Sequence, residues 1–168
     1  GIREDLTHIP IVAIDPADAR DHDDAVWAAP DEDPANKGGW TAIVAIADVS
    51  FYVRPNSALD KEARKRGNSV YFPDRVVPML PETLSADICS LKQGEDRAAL
   101  VCHLQVAKDG QLKSWRFSRA RVRIAANIAY EDAQAAIDGE ERIEVASSPC
   151  SMPDLPPVDP ALVESTLR

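Results

Sequence analysis

The sequence predicts an α+β fold: a mixed, mostly antiparallel twisted sheet with a few helices. Three observations predict it. Several apolar runs rich in Ile, Val and Ala have strand length, Asp109-Gly110 stands between two of them as a hairpin signal, and two helix-period stretches end at glycines. With 168 residues, 45% of them hydrophobic, the chain is long enough to bury a core as one domain.

In chain order, Ile9, Ile11, Val12 and Ile14 read as a buried strand, and Ala25, Val26, Trp27 and Ala28 as a second. Residues 40–53 form a long β run. Residues 58–66 are helical, with Ser57 and Asp60 in capping-box spacing and Gly67 as the stop. Residues 100–106 alternate, with Leu100, Cys102, Leu104 and Val106 on one face, and the Asp109-Gly110 turn leads into a strand over 112–124. Asn127 is placed to cap a short helix over 128–138 that Gly139 ends. Five prolines between 147 and 160 interrupt regular structure, which divides the chain into a domain over 1–146 and a linker with the start of a helix over 147–168. No internal repeat is visible.

Between the first two strands, Asp15, Asp18, Asp21, Asp23 and Asp24 place five carboxylates within ten residues, relieved by Arg20 alone. Such groups are ionised at pH 7 and repel across a few Å. Acidic runs are usually solvated loops. This one is wedged between apolar strands, so Asp15 at a strand end can face carboxylates returning on the next strand; Asp21 and Asp23 share one face of an extended segment and Asp24 the other, so a turn or bulge is needed for all to converge. Concentrated hard oxygen donors suit Mg²⁺, Mn²⁺ or Ca²⁺ rather than zinc or copper. An EF-hand loop is excluded by spacing: from Asp15 or Asp18 its last ligand would be Val26 or Ala29, and from Asp21 the obligatory glycine would be Val26.

In its setting Ile14-Asp15-x-x-Asp18-Ala19-Arg20-Asp21-x-Asp23-Asp24-Ala25, this cluster resembles the metal signature of the catalytic RNB domain of ribonuclease II and ribonuclease R exoribonucleases. The likeness continues in order through Val44-Ala45-Ile46-Ala47-Asp48-Val49, Leu59-Asp60-Lys61-Glu62-Ala63, Arg66-Gly67-Asn68-Ser69-Val70-Tyr71-Phe72-Pro73, Val77-Pro78-Met79-Leu80-Pro81 and Cys89-Ser90-Leu91. It is nearest the ribonuclease R branch.

The resemblance implies a processive 3′-to-5′ hydrolase of single-stranded RNA that releases nucleoside 5′-monophosphates with Mg²⁺, Mn²⁺ being a possible substitute. It implies that Asp15, Asp21, Asp23 and Asp24 hold the metal, that Asp23 and Asp24 are catalytic, and that Tyr71 stacks at the 3′ end of the RNA. Asp18 is an accessory acid. Two cations about 3.5 to 4 Å apart can stabilise both the attacking and leaving oxygens of a phosphodiester. The implied partners are the rest of the RNB domain, with an arginine for the scissile phosphate, and flanking cold-shock and S1-type domains. This chain is expected to be the metal-bearing half of that domain. The alternative is a non-catalytic metal- or RNA-binding fragment or scaffold. Where the ribonuclease R branch commonly has Ser and then Ala-Arg-Leu-Thr-Tyr, this chain has Ile124, then Ala126-Asn127-Ile128-Ala129-Tyr130, which leaves fewer donors there.

A net charge of −9 and a pI near 4.8 argue against a free-standing RNA binder, since basic side chains must neutralise phosphates. Lys113, Arg116, Arg119, Arg121 and Arg123 form one local basic stripe, read here as a strand face balancing the acids rather than an RNA track. His8 and His103 read as ordinary strand positions, and His22 as an outer-shell or solvent-facing residue. Cys89, Cys102 and Cys150 lack CxxC spacing and read as reduced structural thiols. No apolar stretch approaches membrane-spanning length and no leader is visible, so a cytoplasmic location without membrane contact is expected.

Overall fold

The computed structural model describes residues 2–139. Their elements are β1 (Glu4–Asp5), β2 (Ile11–Asp15), β3 (Asp24–Pro30), β4 (Trp40–Ala47), α1 (Val49–Tyr52), α2 (Ala58–Arg66), β5 (Val70–Tyr71), β6 (Val76–Val77), β7 (Asp96–Val106), β8 (Leu112–Ala129) and α3 (Tyr130–Asp138). The inferred linker and the boundary at 146/147 lie outside the described residues, as does Cys150.

β2, β3, β4, β7 and β8 pair in that order, each neighbour antiparallel, and β8 then pairs with β2 in parallel. The ring therefore closes into a five-stranded barrel, with β1 parallel to β8 at Ala120 and Arg121. Closure, which the sequence reading did not foresee, removes the sheet edges. A ring of five strands has a narrow lumen, so it takes small side chains. Ala13, Ala25, Ala45, Ala47, Ala99 and Ala120 fill the buried cluster beside Ile11, Ile43, Val101, Val122 and Ile124, while Leu6, Cys89 and Leu91 complete it.

That constraint decides which face of 100–106 turns inward. The inward positions are Ala99 and Val101, both fully buried, whereas Leu100 is 42% exposed on the outer surface opposite Ile46 and Arg119. Lumen width, not apolarity, decides which face turns inward.

A bulge re-aims β8. Ile11 pairs with Ile124 but Val12 with Ala126, so Ala125 is an extra residue. Beyond it Ala126 and Ile128 pack outside the main core, with Val12 and Ala133 of α3. Asn127 then pairs with core-facing Ala13, and its amide clamps the segment after Cys89 instead of capping a helix. The helix begins later than expected, at Tyr130, with Ala129 at its N-cap and no side-chain cap. Gly139, at φ 73°, ends it as expected.

The β run expected over 40–53 stops at Ala47. Asp48 is buried, accepts a hydrogen bond from Arg3 at 2.8 Å and another from the Ser50 hydroxyl at 2.8 Å, and starts the short α1. α2 matches its expected bounds: the Ser57 hydroxyl accepts from the Asp60 N–H at 3.1 Å, though Asp60 reaches back to the Asn56 N–H, one residue before the cap. The Asp109-Gly110 hairpin forms, with Gly110 at φ 84°. His8 lies exposed in a turn, not a strand, while His103 is on β7 as expected.

Ion pairs tie β1 to the barrel. Glu4 receives two hydrogen bonds from Arg116 at 3.0 and 2.9 Å, which with the Ser118 hydroxyl hold its carboxyl down at about 2. A depressed carboxyl contributes stability above its unfolded value, lost as pH falls toward the folded one. The melting temperature of the native chain should therefore fall more than that of Glu4→Gln between about pH 4.5 and 2. Parallel melting curves across that window would dissociate Glu4 from the fold's acid sensitivity.

Candidate active site

β2 ends on Asp15 and β3 begins on Asp24, so the antiparallel register through Val12 and Val26 brings both ends of the acidic loop to one rim of the barrel. Asp23 is held there through its backbone carbonyl, which accepts from the Ala47 N–H at 2.9 Å. Asp15 Oδ2 lies 2.6 Å from His22 Nδ1, which makes His22 a half-buried partner of a carboxylate rather than a solvent-facing residue. Asp21 accepts a hydrogen bond from the Tyr71 hydroxyl at 3.2 Å. Asp18 is exposed on the loop.

Partial burial of the Asp23 carboxyl, followed by the negative charges of Asp21, Asp24 and Asp15, pushes its pKa up, with His22 opposing. The Asp21 charge is the main reason that the Tyr71 phenol is pushed up, and burial followed by Asp23 and Asp48 raises the Cys89 thiol. The four carboxylates thus share one electrostatic neighbourhood. Among the described residues, no three His, Cys, Asp or Glu side chains already form a coordination cluster. Hard-oxygen donors that repel one another are what a divalent cation would neutralise, so the donor set fits one.

Tyr71 sits on the two-stranded β5–β6 hairpin and is 66% exposed, so it is not packed in the core. Phe72, Val76 and Val77 are exposed beside it. The sequence reading missed two contributors. Ser90 is fully buried beneath the acidic loop and Asn127 clamps the segment behind it. Ser90 stands in a family-like block, but nothing in its spacing says what it touches.

The basic stripe is occupied internally. Arg116 pairs with Glu4, Arg121 with Asp5 at 2.6 Å, Arg123 with Asp96 at 2.7 Å, Arg119 bonds Ser50 at 3.2 Å, and Lys113 donates to the Ala35 carbonyl. Three of its arginines thus face acids, while Arg119 and Lys113 also donate to a hydroxyl and a carbonyl. No helix among the described residues is long and apolar enough to cross a membrane.

Comparison with known proteins places this geometry in a family. The RNB domain profile matches residues 3–162. Ribonuclease R of Vibrio parahaemolyticus is 48% identical over 147 residues, which cover 88% of this chain and 17% of that protein. Mycoplasma genitalium RNase R, solved in complex with ribose-methylated single-stranded RNA, has a TM-score of 0.79 and 32% identity over 85% of this chain and 22% of that one. Its complex with double-stranded RNA gives a TM-score of 0.81 and 29% identity over 97% and 26%. This chain spans a small part of each of those proteins, and it belongs to the RNB domain family.

Proposed function

We propose that this chain is the metal-binding part of a Mg²⁺-dependent exoribonuclease that degrades single-stranded RNA processively from 3′ to 5′ and releases nucleoside 5′-monophosphates. The observation that carries the proposal is the placement of the acidic loop at one rim of the barrel, where β2 ends on Asp15 and β3 begins on Asp24, with the charges of Asp21, Asp24 and Asp15 raising the Asp23 carboxyl. Asp15, Asp21, Asp23 and Asp24 would hold Mg²⁺, or Mn²⁺ in its place. The ion would polarise the scissile phosphate and lower the pKa of a bound water. His22 would orient Asp15, and Tyr71 would stack on the RNA end while its hydroxyl steadies Asp21. A cytoplasmic location, and the remainder of the RNB domain with cold-shock and S1-type domains as partners, belong to the same proposal.

The internally paired arginines and the charge of −9 favour a second statement about the chain by itself: it binds metal but degrades little RNA. Titration with Mn²⁺, read from the electron paramagnetic resonance of the free ion, should show weak binding that Asp21→Asn with Asp23→Asn removes. Binding unchanged by that pair would place the ion elsewhere. Incubated with labelled single-stranded RNA and Mg²⁺, the chain should release little mononucleotide.

Tyr71 divides into two expectations. In the parent protein, Tyr71→Ala should weaken the hold on short oligonucleotides, by about 1 to 3 kcal/mol per stacked base, and lengthen the limit product. Tyr71→Phe keeps the ring and should retain most of that hold. Equal limit products in all three proteins would remove the stacking role.

A further inference from the structure

Ser90 is a polar residue with no solvent exposure, outside the carboxylate cluster. Its Oγ accepts from the His22 N–H at 3.0 Å and donates to the Arg20 carbonyl at 3.3 Å. One hydroxyl therefore grips the backbone on both sides of Asp21. The Leu91 N–H adds a bond to the His22 carbonyl at 2.8 Å. Residues 16–23 belong to no strand or helix, so no regular ladder fixes this stretch.

Ser90 is itself firmly set. Its carbonyl accepts from Arg97 Nε and from the Lys92 N–H, each at 2.9 Å, and its N–H donates to the Asp87 carbonyl at 3.0 Å. From β8, Asn127 donates to the Leu91 carbonyl at 3.2 Å and accepts from the Gln93 N–H at 2.8 Å. A continuous series of hydrogen bonds thus runs from the barrel wall to the loop.

We propose that Ser90 is a positioning residue of the carboxylate site, setting the backbone of Arg20 and His22 so that Asp21 and Asp23 are presented together to a divalent cation. The inference rests on the reading of the loop as a metal site. Mutually repelling carboxylates on a loop without ladder bonds relieve their repulsion by splaying apart, and hydrogen bonds from a buried hydroxyl oppose that motion. Removing groups that orient metal ligands typically costs about 10- to 100-fold in metal affinity or activity.

The test measures Mn²⁺ affinity of this chain by electron paramagnetic resonance for the native sequence, Ser90→Ala, Ser90→Thr and Asp21→Asn with Asp23→Asn. Thermal melting is recorded for each. Ser90→Ala should weaken Mn²⁺ binding by about 10-fold or more, and Ser90→Thr, which keeps the hydroxyl, should bind within a few-fold of native. In the full-length protein Ser90→Ala should raise the Mg²⁺ concentration for half-maximal turnover while leaving the RNA KM at saturating Mg²⁺ unchanged. Native affinity in a folded Ser90→Ala chain, or equal weakening in Ser90→Thr and Ser90→Ala, would overturn the proposal. If Ser90→Ala does not fold, Ser90→Cys carries the same expectation, and native affinity in that variant is the overturning result. The double Asn variant separates the two ideas: if it still binds Mn²⁺ normally, the metal site itself is misplaced; if it does not, a native-like Ser90→Ala defeats only the role of Ser90.

Discussion

Asp23→Asn in the parent protein is expected to abolish RNA degradation while leaving RNA binding largely intact, and in the metal-free chain to raise the melting temperature. The two effects have one cause. Burial and the charges of Asp21, Asp24 and Asp15 make an ionised Asp23 unfavourable in the folded state, so the charge is retained at a cost to stability. The amide removes that cost together with the charge at the phosphate. Losing one group of this kind lowers turnover by about 10²- to 10³-fold or more. For a carboxyl raised in the folded state, the penalty grows as pH rises through its folded value and is absent below its unfolded one. The melting difference between Asp23→Asn and native chain in chelator should therefore be positive at pH 7 and vanish near pH 3. Unchanged turnover, or an Asn variant that melts lower at pH 7, would count against the crowded-carboxylate account.

Arg3→Met should destabilise the fold strongly, although Arg3 lies outside both the apolar core and the acidic loop. Asp48 is almost wholly enclosed, with 2% of its side chain exposed, and Arg3 meets it at 2.8 Å. Burial alone would raise the Asp48 carboxyl, but hydrogen bonds from Arg3 and Ser50, with the more distant Arg119, bring it below its ordinary value. Removing Arg3 leaves a buried carboxylate with Arg119 at 3.8 Å as its remaining cation. Breaking a buried pair from one side costs about 3 to 5 kcal/mol. Urea denaturation should show a loss near the lower figure, and adding Asp48→Asn should restore part of it. A loss under about 1 kcal/mol would show that Arg119 compensates.

What the sequence disclosed follows from the range of the interactions involved. α2, the Asp109-Gly110 hairpin and the strands flanking the aspartates are set by caps, turn residues and apolar runs within a few neighbours, and they stand where expected. The inward face of β7 depends on lumen width, a property of ring closure between β8 and β2, so the alternation over 100–106 did not tell which face turns inward, and Leu100 lies outside. Asn127 has the local look of a helix cap, and only the extra residue at Ala125 re-aims it toward Leu91 and Gln93. At the site, the acidic residues were legible because five aspartates so close together are chemically conspicuous. Ser90 was not. A single serine 68 residues from His22 acquires meaning only when folding buries it under the loop.

If the carboxylates at the barrel rim serve an exonuclease working from the 3′ end of single-stranded RNA, the order in which end labels leave the RNA reports it. Full-length protein should be incubated with Mg²⁺ and RNA labelled at the 5′ end in one reaction and the 3′ end in another. The 3′ label should leave at once as a nucleoside 5′-monophosphate and the 5′ label should stay until a short limit product remains, whereas with chelator or Asp23→Asn the RNA should stay intact at both ends. Early release of the 5′ label, internal cleavage fragments, or degradation that survives Asp23→Asn would contradict that reading of the carboxylates.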